Sequence, residues 1–548
     1  MAFFNSKNNF IFILLIICGL VLFKIFNGNN NEKKNNEDCY IENISTDVPT
    51  FNPHKITDNV SWRVAMDIYE GLVGYNQKGE IIMLGAENYN ISDDGKIYTF
   101  FLRKNAKWST GDPVTADDYV YSFQKALTPE TLGDYFEQLL PIKNAESIKN
   151  GLQSPTTLGV EAVDDFTLKI ELEHPCIEFL HYLTLWIAAP LCKQVVSQNE
   201  NGWLANTRLI PTNGAYKIKE HIPNGHVLLV KNDFYWNAKN VKINNVKFLM
   251  IGDRSADVNK FTTGGEHVTY YNLPGENKEF FKNKYKSEYV SYDVLAQGKL
   301  SINTRLEKFK DIKVRKALFM TIDRETLVNK VLKQGFVSYL PILECMNNGY
   351  FKDLLTENEE FNWIKLSFKD RVALAKDLIM QAGYDKDFPL TFTLAYPNSR
   401  NKKIFEFFQT TWNTVFDGLV KCNLLSEEWK IYLINQSNGK YEVCHSDWMA
   451  DYNLASCFSM LYTTGNGCNF TNFSNPEVDK LYKESLLVKN NADYLKKQKE
   501  LAKIIMNNYV GIPYCGNKFS RLVSNKIGGL DFVNNNLDRF SSRDLFFK

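Results

Sequence analysis

One strand–turn–helix unit, written into residues 97–127, constrains this chain more than any other stretch. Ile97 to Leu102 is aromatic-rich and reads as a strand, and Lys107-Trp108-Ser109-Thr110-Gly111-Asp112-Pro113 reads as a turn. Thr115 predicts a helix N-cap, and Asp118 three residues on completes a capping-box pattern. Tyr119, Val120, Phe123, Ala126 and Leu127 then recur at helical spacing and form the face that packs. Elsewhere strand-like and helix-like stretches alternate irregularly, without repeats at solenoid periods. That pattern predicts α/β domains and excludes an all-helical bundle.

The 548 residues exceed what one compact core accommodates, so two or three domains are expected. A net charge of +1, from 64 basic and 63 acidic residues, argues against nucleic acid as a partner, because phosphate binding needs a basic surplus. Aromatic residues reach 14%, which fits either large cores or an aromatic-lined cleft. None of the ten cysteines forms a C-x-x-C pair, and Cys444, Cys457 and Cys468 lack zinc-ligand spacing. His221 and His226, and His174 and His181, read as core or surface residues, not metal pairs. The chain has no G-x-S-x-G, H-E-x-x-H, G-x-x-x-x-G-K-[ST] or G-x-G-x-x-G, so nothing positive points to an enzyme, a metal or a cofactor.

Phe10 to Phe23 is an apolar run of 14 residues between Lys7 and Lys24. Its length fits a signal-peptide core better than a full span of roughly 20 residues. Leu15-Ile16-Ile17-Cys18 is similar to a lipoprotein box, except that Ile17 stands where a small residue belongs. Ile25 and Phe26 extend the run toward a short uncleaved anchor. Export is expected, with the segment cleaved, lipidated or retained at the outer face of the membrane. Asn27 to Asp38 is a polar tether, and folded sequence is expected to begin near Cys39. Further along, Asp311 precedes a helical segment carrying Val314, Ala317, Leu318 and Thr321, and Asp323 predicts the cap of a helix running to Leu332. Ser367, with Asp370, opens a helix carrying Val372, Leu374, Ala375, Leu378 and Ile379, closed by Gly383.

As a string, residues 96–135 closely resemble the signature of the bacterial family 5 extracellular solute-binding proteins, the oligopeptide-binding subunits of ABC importers. The resemblance extends over nearly everything after residue 45. It includes Phe51-Asn52-Pro53-His54, Ile68-Tyr69-Glu70-Gly71-Leu72, Thr212-Asn213-Gly214-Ala215-Tyr216, Phe234-Tyr235-Trp236-Asn237 and Lys313-Val314-Arg315-Lys316-Ala317-Leu318. Behind Trp448, Ala450-Asp451-Tyr452-Asn453 resembles the peptide-site motif of the oligopeptide subgroup.

The resemblance implies a two-lobed periplasmic-binding-protein fold (class II, cluster C) with an extra inserted domain. Domain I would comprise 45–69, 211–294 and 516–548, domain II 70–210 and domain III 295–515, after a signal or anchor at 1–26 and a linker at 27–44. Crossings near 294 and 515 would form the hinge. It also implies a monomeric, periplasmic receptor that passes oligopeptides to a permease and ATPase pair. Asp451 would hold the peptide's α-amine; otherwise it is a helix cap or turn residue. Asp447, Trp448 and Met449 would form a strand that pairs with the ligand backbone, with Asp58 and Asn59 as its counterpart in lobe I. Trp448 has a core role as its alternative. Tyr135 falls where relatives contact ligand. Asn401, Gln436 and His445 occupy positions that face the peptide's C-terminus in relatives, and only His445 among them can carry charge. The disulfide of the best-known relatives would need cysteines at Leu295 and Met449 and is absent. Other cargoes on the same fold (dipeptide, murein peptide, haem or a nickel chelate), or a secreted hydrolase or adhesin, are the alternatives.

Overall fold

A computed structural model of the protein describes residues 39–131, 135–200, 202–270, 272, 273 and 275–548. The apolar run 10–23 and the tether 27–38 lie outside the described residues.

A first, four-stranded sheet has the order Cys39–Asn43, Asn245–Leu249, His226–Lys231, Tyr216–Ile222. The opening strand corrects the linker boundary. Residues 39–43, placed in the linker 27–44 but lying where folded sequence is expected to begin, pair in parallel with Asn245–Leu249 and are buried throughout. Glu42 is tolerated there because Arg63 meets its carboxylate at 2.8 Å. The chain reaches its parallel neighbour only after some two hundred intervening residues, which a short-range reading of sequence cannot see.

A second sheet, ordered Ala86–Ile91, Ile97–Leu102, Thr167–Glu171, Val160–Asp164, carries the predicted strand in its interior. The helix Ala116–Ala126 follows as expected, and Asp118 explains why the turn and the helix are spaced as they are. Its carboxylate accepts the Thr115 N–H at 3.0 Å, the Trp108 indole N–H at 3.0 Å and the Lys193 N–H at 2.9 Å. One side chain thus satisfies an orphan helix donor, a buried indole and a distant loop.

The third sheet is the largest. Its order is Phe336–Val337, Gly511–Leu522, Tyr289–Ile302, Val443–His445, Leu390–Pro397, Val420–Glu427, and the short strand Trp448–Met449 pairs with Tyr289–Ile302. Tyr289–Ile302 and Gly511–Leu522 are long antiparallel strands that run out of this sheet toward the first one. Their register breaks midway. Asp293 faces Lys518 and Gln297 faces Gly516, so three residues oppose Asn517 alone. This irregularity lies at the crossings expected near 294 and 515. Leu295 donates nothing covalent to Met449, and all the described cysteines are free.

The predicted caps at Asp311, Asp323 and Ser367 each accept a backbone N–H of the following helix. Two details differ. Beyond Arg324–Thr326 the segment Leu327–Leu332 winds as a π-helix, ended by Lys333 at φ 57°. In Phe368–Gln381, Leu374 is exposed, because the helix packs through the narrow stripe of Ala375 and Ile379.

Candidate ligand-binding cleft

The strand Leu390–Pro397 covers the edge of Val443–His445, then ends at Pro397. Past that point Trp448–Met449 has Tyr289–Ile302 on one side and, among the described residues, no strand on the other. A free row of backbone donors and acceptors is left at this edge. Strand alternation aims His445, Asp447 and Met449 at the opening.

That opening is a cavity of about 1130 Å³, above the roughly 300–1,000 Å³ usual for small-molecule pockets. One wall comes from the third sheet and its helices, including Arg400, Asn401, His445, Asp447 and Met449. The opposite wall comes from the first helix and the C-terminal segment, including Asn59, Trp62, Arg63 and Arg539. The strand Gly511–Leu522 forms its floor through Tyr514, Cys515 and Asn517.

Four expected residues therefore line this cavity: Asn59 on one wall, and His445, Asp447 and Met449 on the other. Asp447 lies 3.3 Å from both Arg400 and His445. Burial would raise its carboxyl, but His445 and Arg400 more than offset this and hold it below the ordinary carboxylate range. The other four lie elsewhere. Trp448 alternates to the opposite face and packs against the core, the second of its two readings. Asp58 caps the helix Asn59–Ile68 by accepting the Ser61 N–H at 2.8 Å. Tyr135 packs on Trp186, ring centroids 4.8 Å apart, behind the wall.

Asp451 is not a helix cap, since the nearest helix is Ser456–Ser459. Its carboxylate Oδ1 lies 3.3 Å from Arg539 Nη2, and Arg539 Nη1 donates to its backbone carbonyl. The guanidinium carbon lies over the Trp62 ring, 3.4 Å from its centroid. Arg539, not Asp451, reaches the cavity. Burial raises the Asp451 carboxyl, and Arg539 opposes that shift.

Asn401 caps the helix Lys402–Val415 at the cavity wall, whereas Gln436 is buried behind it and donates to the His445 carbonyl at 2.8 Å. Gln436 thus positions His445 instead of facing ligand. Sequence reasoning missed Arg400, which is adjacent to the expected Asn401, and Arg539, which lies 88 residues from its partner with no periodic signal between them.

A second buried carboxylate ties the units beside the cleft. Glu178 follows the second sheet and is 0% exposed. It accepts hydroxyls from Tyr182 at 2.6 Å, Tyr452 at 3.3 Å, Tyr494 at 3.2 Å and also Ser456. Among the described residues no cation pairs with it, and burial raises its carboxyl. Among the described residues there is also no cluster of three metal-ligating side chains. No described helix is long and apolar enough to cross a membrane.

The model of bacterial extracellular solute-binding proteins, family 5 Middle, matches residues 80–470. The chain belongs to this family. The periplasmic oligopeptide-binding protein OppA of Salmonella typhimurium is 33% identical over 496 residues, 89% of each chain. A crystal structure of Haemophilus influenzae OppA in complex with the peptide RPPGFSPFR superposes with a TM-score of 0.80 at 30% identity, covering 93% of this chain and 99% of that one. The murein tripeptide binding protein MppA in its unliganded open form gives 0.75 at 30% identity, with 93% and 97% covered. The fold is the two-lobed α/β architecture of periplasmic binding proteins.

Proposed function

We propose that this protein is the extracytoplasmic substrate-binding component of an ABC importer and holds oligopeptides in the cavity between its lobes. The observation that carries this reading is the free strand edge at Trp448–Met449, opening onto a cavity larger than a small solute needs. A peptide laid along that edge gains main-chain hydrogen bonds irrespective of sequence, while His445, Asp447 and Met449 meet its side chains. Water in the remaining volume bridges what the wall does not touch.

In this reading domain I (39–69, 211–294, 516–548) and domain II (70–210) form one lobe, and domain III (295–515) the other. The paired strands that cross near 294 and 515 are the hinge. The sealed Glu178 cradle supports a closed arrangement. The protein performs no bond chemistry and works as a monomer outside the cytoplasmic membrane, with residues 1–26 serving as its export signal or its anchor. It passes its cargo to a permease and ATPase pair.

Native mass spectrometry of the purified protein, followed by identification of what denaturation releases, tests the reading. A ladder of peptides is expected. A single haem or metal chelate would assign a different cargo.

A further inference from the structure

The Glu178 cradle is built from two parts of the chain that the reading above assigns to opposite lobes. Only the Tyr182 hydroxyl, at 2.6 Å, comes from the carboxylate's own unit, 70–210. Tyr452, Tyr494 and Ser456 donate from 295–515, across the division. Tyr452 also meets the inserted unit through its ring, 5.7 Å from that of His181 and 5.6 Å from that of Tyr182. It stands three residues beyond Met449, where the free strand edge ends. The edge that would receive a peptide and the donor that completes the cradle are therefore one short piece of chain, and closure that seats the one seats the other.

What closes over Glu178 brings hydroxyls and no positive charge. The titratable groups packed against it are Cys176, His181 and Tyr182 on its own segment, and Tyr452 and Cys457 after the strand edge. Two helices add Tyr482, from Pro476–Leu486, and Tyr494, from Asn491–Asn508. Burial lowers His181 to about 4 and raises the tyrosines and thiols, so every one of them is uncharged near neutral pH. A carboxylate sealed there loses its water and gains no counter-charge, which favours the neutral acid. The acid proton has an acceptor, because a hydroxyl such as that of Ser456 accepts as readily as it donates. With the lobes parted, Glu178 keeps only Tyr182 and faces water, where a carboxyl ionises in its ordinary range.

We propose, resting on the peptide-binding reading above, that closure of the lobes around a peptide takes up one proton at Glu178 and that opening returns it to water. Capture is then tighter in acid, and release is favoured as pH rises. The dependence sets in above the ordinary value of 4.5 and ends where the sealed carboxyl itself ionises.

The test is calorimetry of tri- or tetraalanine binding to the full-length, ligand-stripped protein. Titrations at about pH 6 in phosphate and in imidazole count the protons exchanged, since the two buffers differ in heat of ionisation. The wild type is expected to take up most of one proton and to bind about fivefold or more weakly at about pH 7 than at about pH 5. Glu178→Gln keeps the shape and the neutral state of the closed cradle, and is expected to lose that uptake and most of the slope. Other titrating groups of protein and peptide are shared by both and cancel in the difference. A wild-type affinity that is flat with pH, with no proton taken up, overturns the inference without any variant. An uptake that survives Glu178→Gln places the proton on another group and overturns it as well. Peptide binding stands in either case. Binding of neither peptide at any pH would remove the reading on which the inference rests, and the inference with it.

Discussion

Tyr494 donates its hydroxyl to Glu178 at 3.2 Å, joining the segment after the second sheet to the long helix Asn491–Asn508 across 316 residues of chain. The hydroxyls of Tyr452 and Ser456 donate to the same carboxylate from the same side. A carboxylate surrounded by hydroxyls and no cation is held by hydrogen bonds alone, which gives it a titration signature.

Glu178→Ala should cost about 3 kcal/mol or more, because several buried hydroxyls lose their acceptor together. Burial raises the folded-state value of this carboxyl above its unfolded value of 4.5. The resulting stability is fully present below pH 4.5 and is lost as pH rises through the raised value. Thermal unfolding of the wild type against Glu178→Gln, followed between about pH 4 and 8, should therefore show the wild type losing ground as pH increases. A difference independent of pH would mean that the carboxyl is not desolvated.

Asp451→Ala should destabilise the protein by about 3–5 kcal/mol, since it leaves Arg539 buried and unpaired over Trp62. Asp451→Ala/Arg539→Met should recover most of that loss. Denaturant midpoints for the two singles and the double give the coupling directly. Simple additivity would show that the two side chains do not support each other.

Asp118→Ala should lower stability by about 2–3 kcal/mol without changing ligand affinity. It removes the acceptor of Thr115, Trp108 and Lys193 but touches no part of the cleft. Loss of binding in a variant that still unfolds at a normal temperature would give the signature stretch a role beyond architecture.

Pairing along the strand edge predicts a period of two in the ligand. N-methylation of alternate peptide nitrogens should weaken binding by about 1 kcal/mol each, roughly fivefold, whereas the intervening positions should tolerate the methyl group. A series of singly methylated tetrapeptides measures this. A flat response would place the ligand backbone away from Trp448–Met449.

Much of the local structure was legible in the sequence because capping is a short-range chemistry. Asp118, Asp311, Asp323 and Ser367 each sit within three residues of the backbone N–H they accept. The strand at Cys39–Asn43 was not, since its partner lies at Asn245–Leu249 and its one charge is neutralised from a helix. The candidate site divides in the same way. Asn59, His445, Asp447 and Met449 reach the wall through helix and strand geometry that a motif can encode. Trp448 fails because the same alternation turns it inward. The pairing of Asp451 with Arg539 joins two loops 88 residues apart, and no pattern of hydrophobicity records it.

The C-terminal segment that carries Arg539 also completes the beginning of the chain. Asp67, 0% exposed on the first helix, accepts the Ser541 hydroxyl at 2.8 Å and the Ser542 N–H at 2.7 Å. Those partners are made some 475 residues after it. The first lobe to be synthesised is therefore among the last to finish. Contacts of such long sequence separation make for slow folding. Until its final residues arrive, the nascent protein presents a buried carboxylate that Arg63 alone meets, at 3.1 Å. Deleting the last eight residues should accordingly leave the middle of the molecule able to fold and its first-made part unable to settle, a defect of timing more than of any single contact.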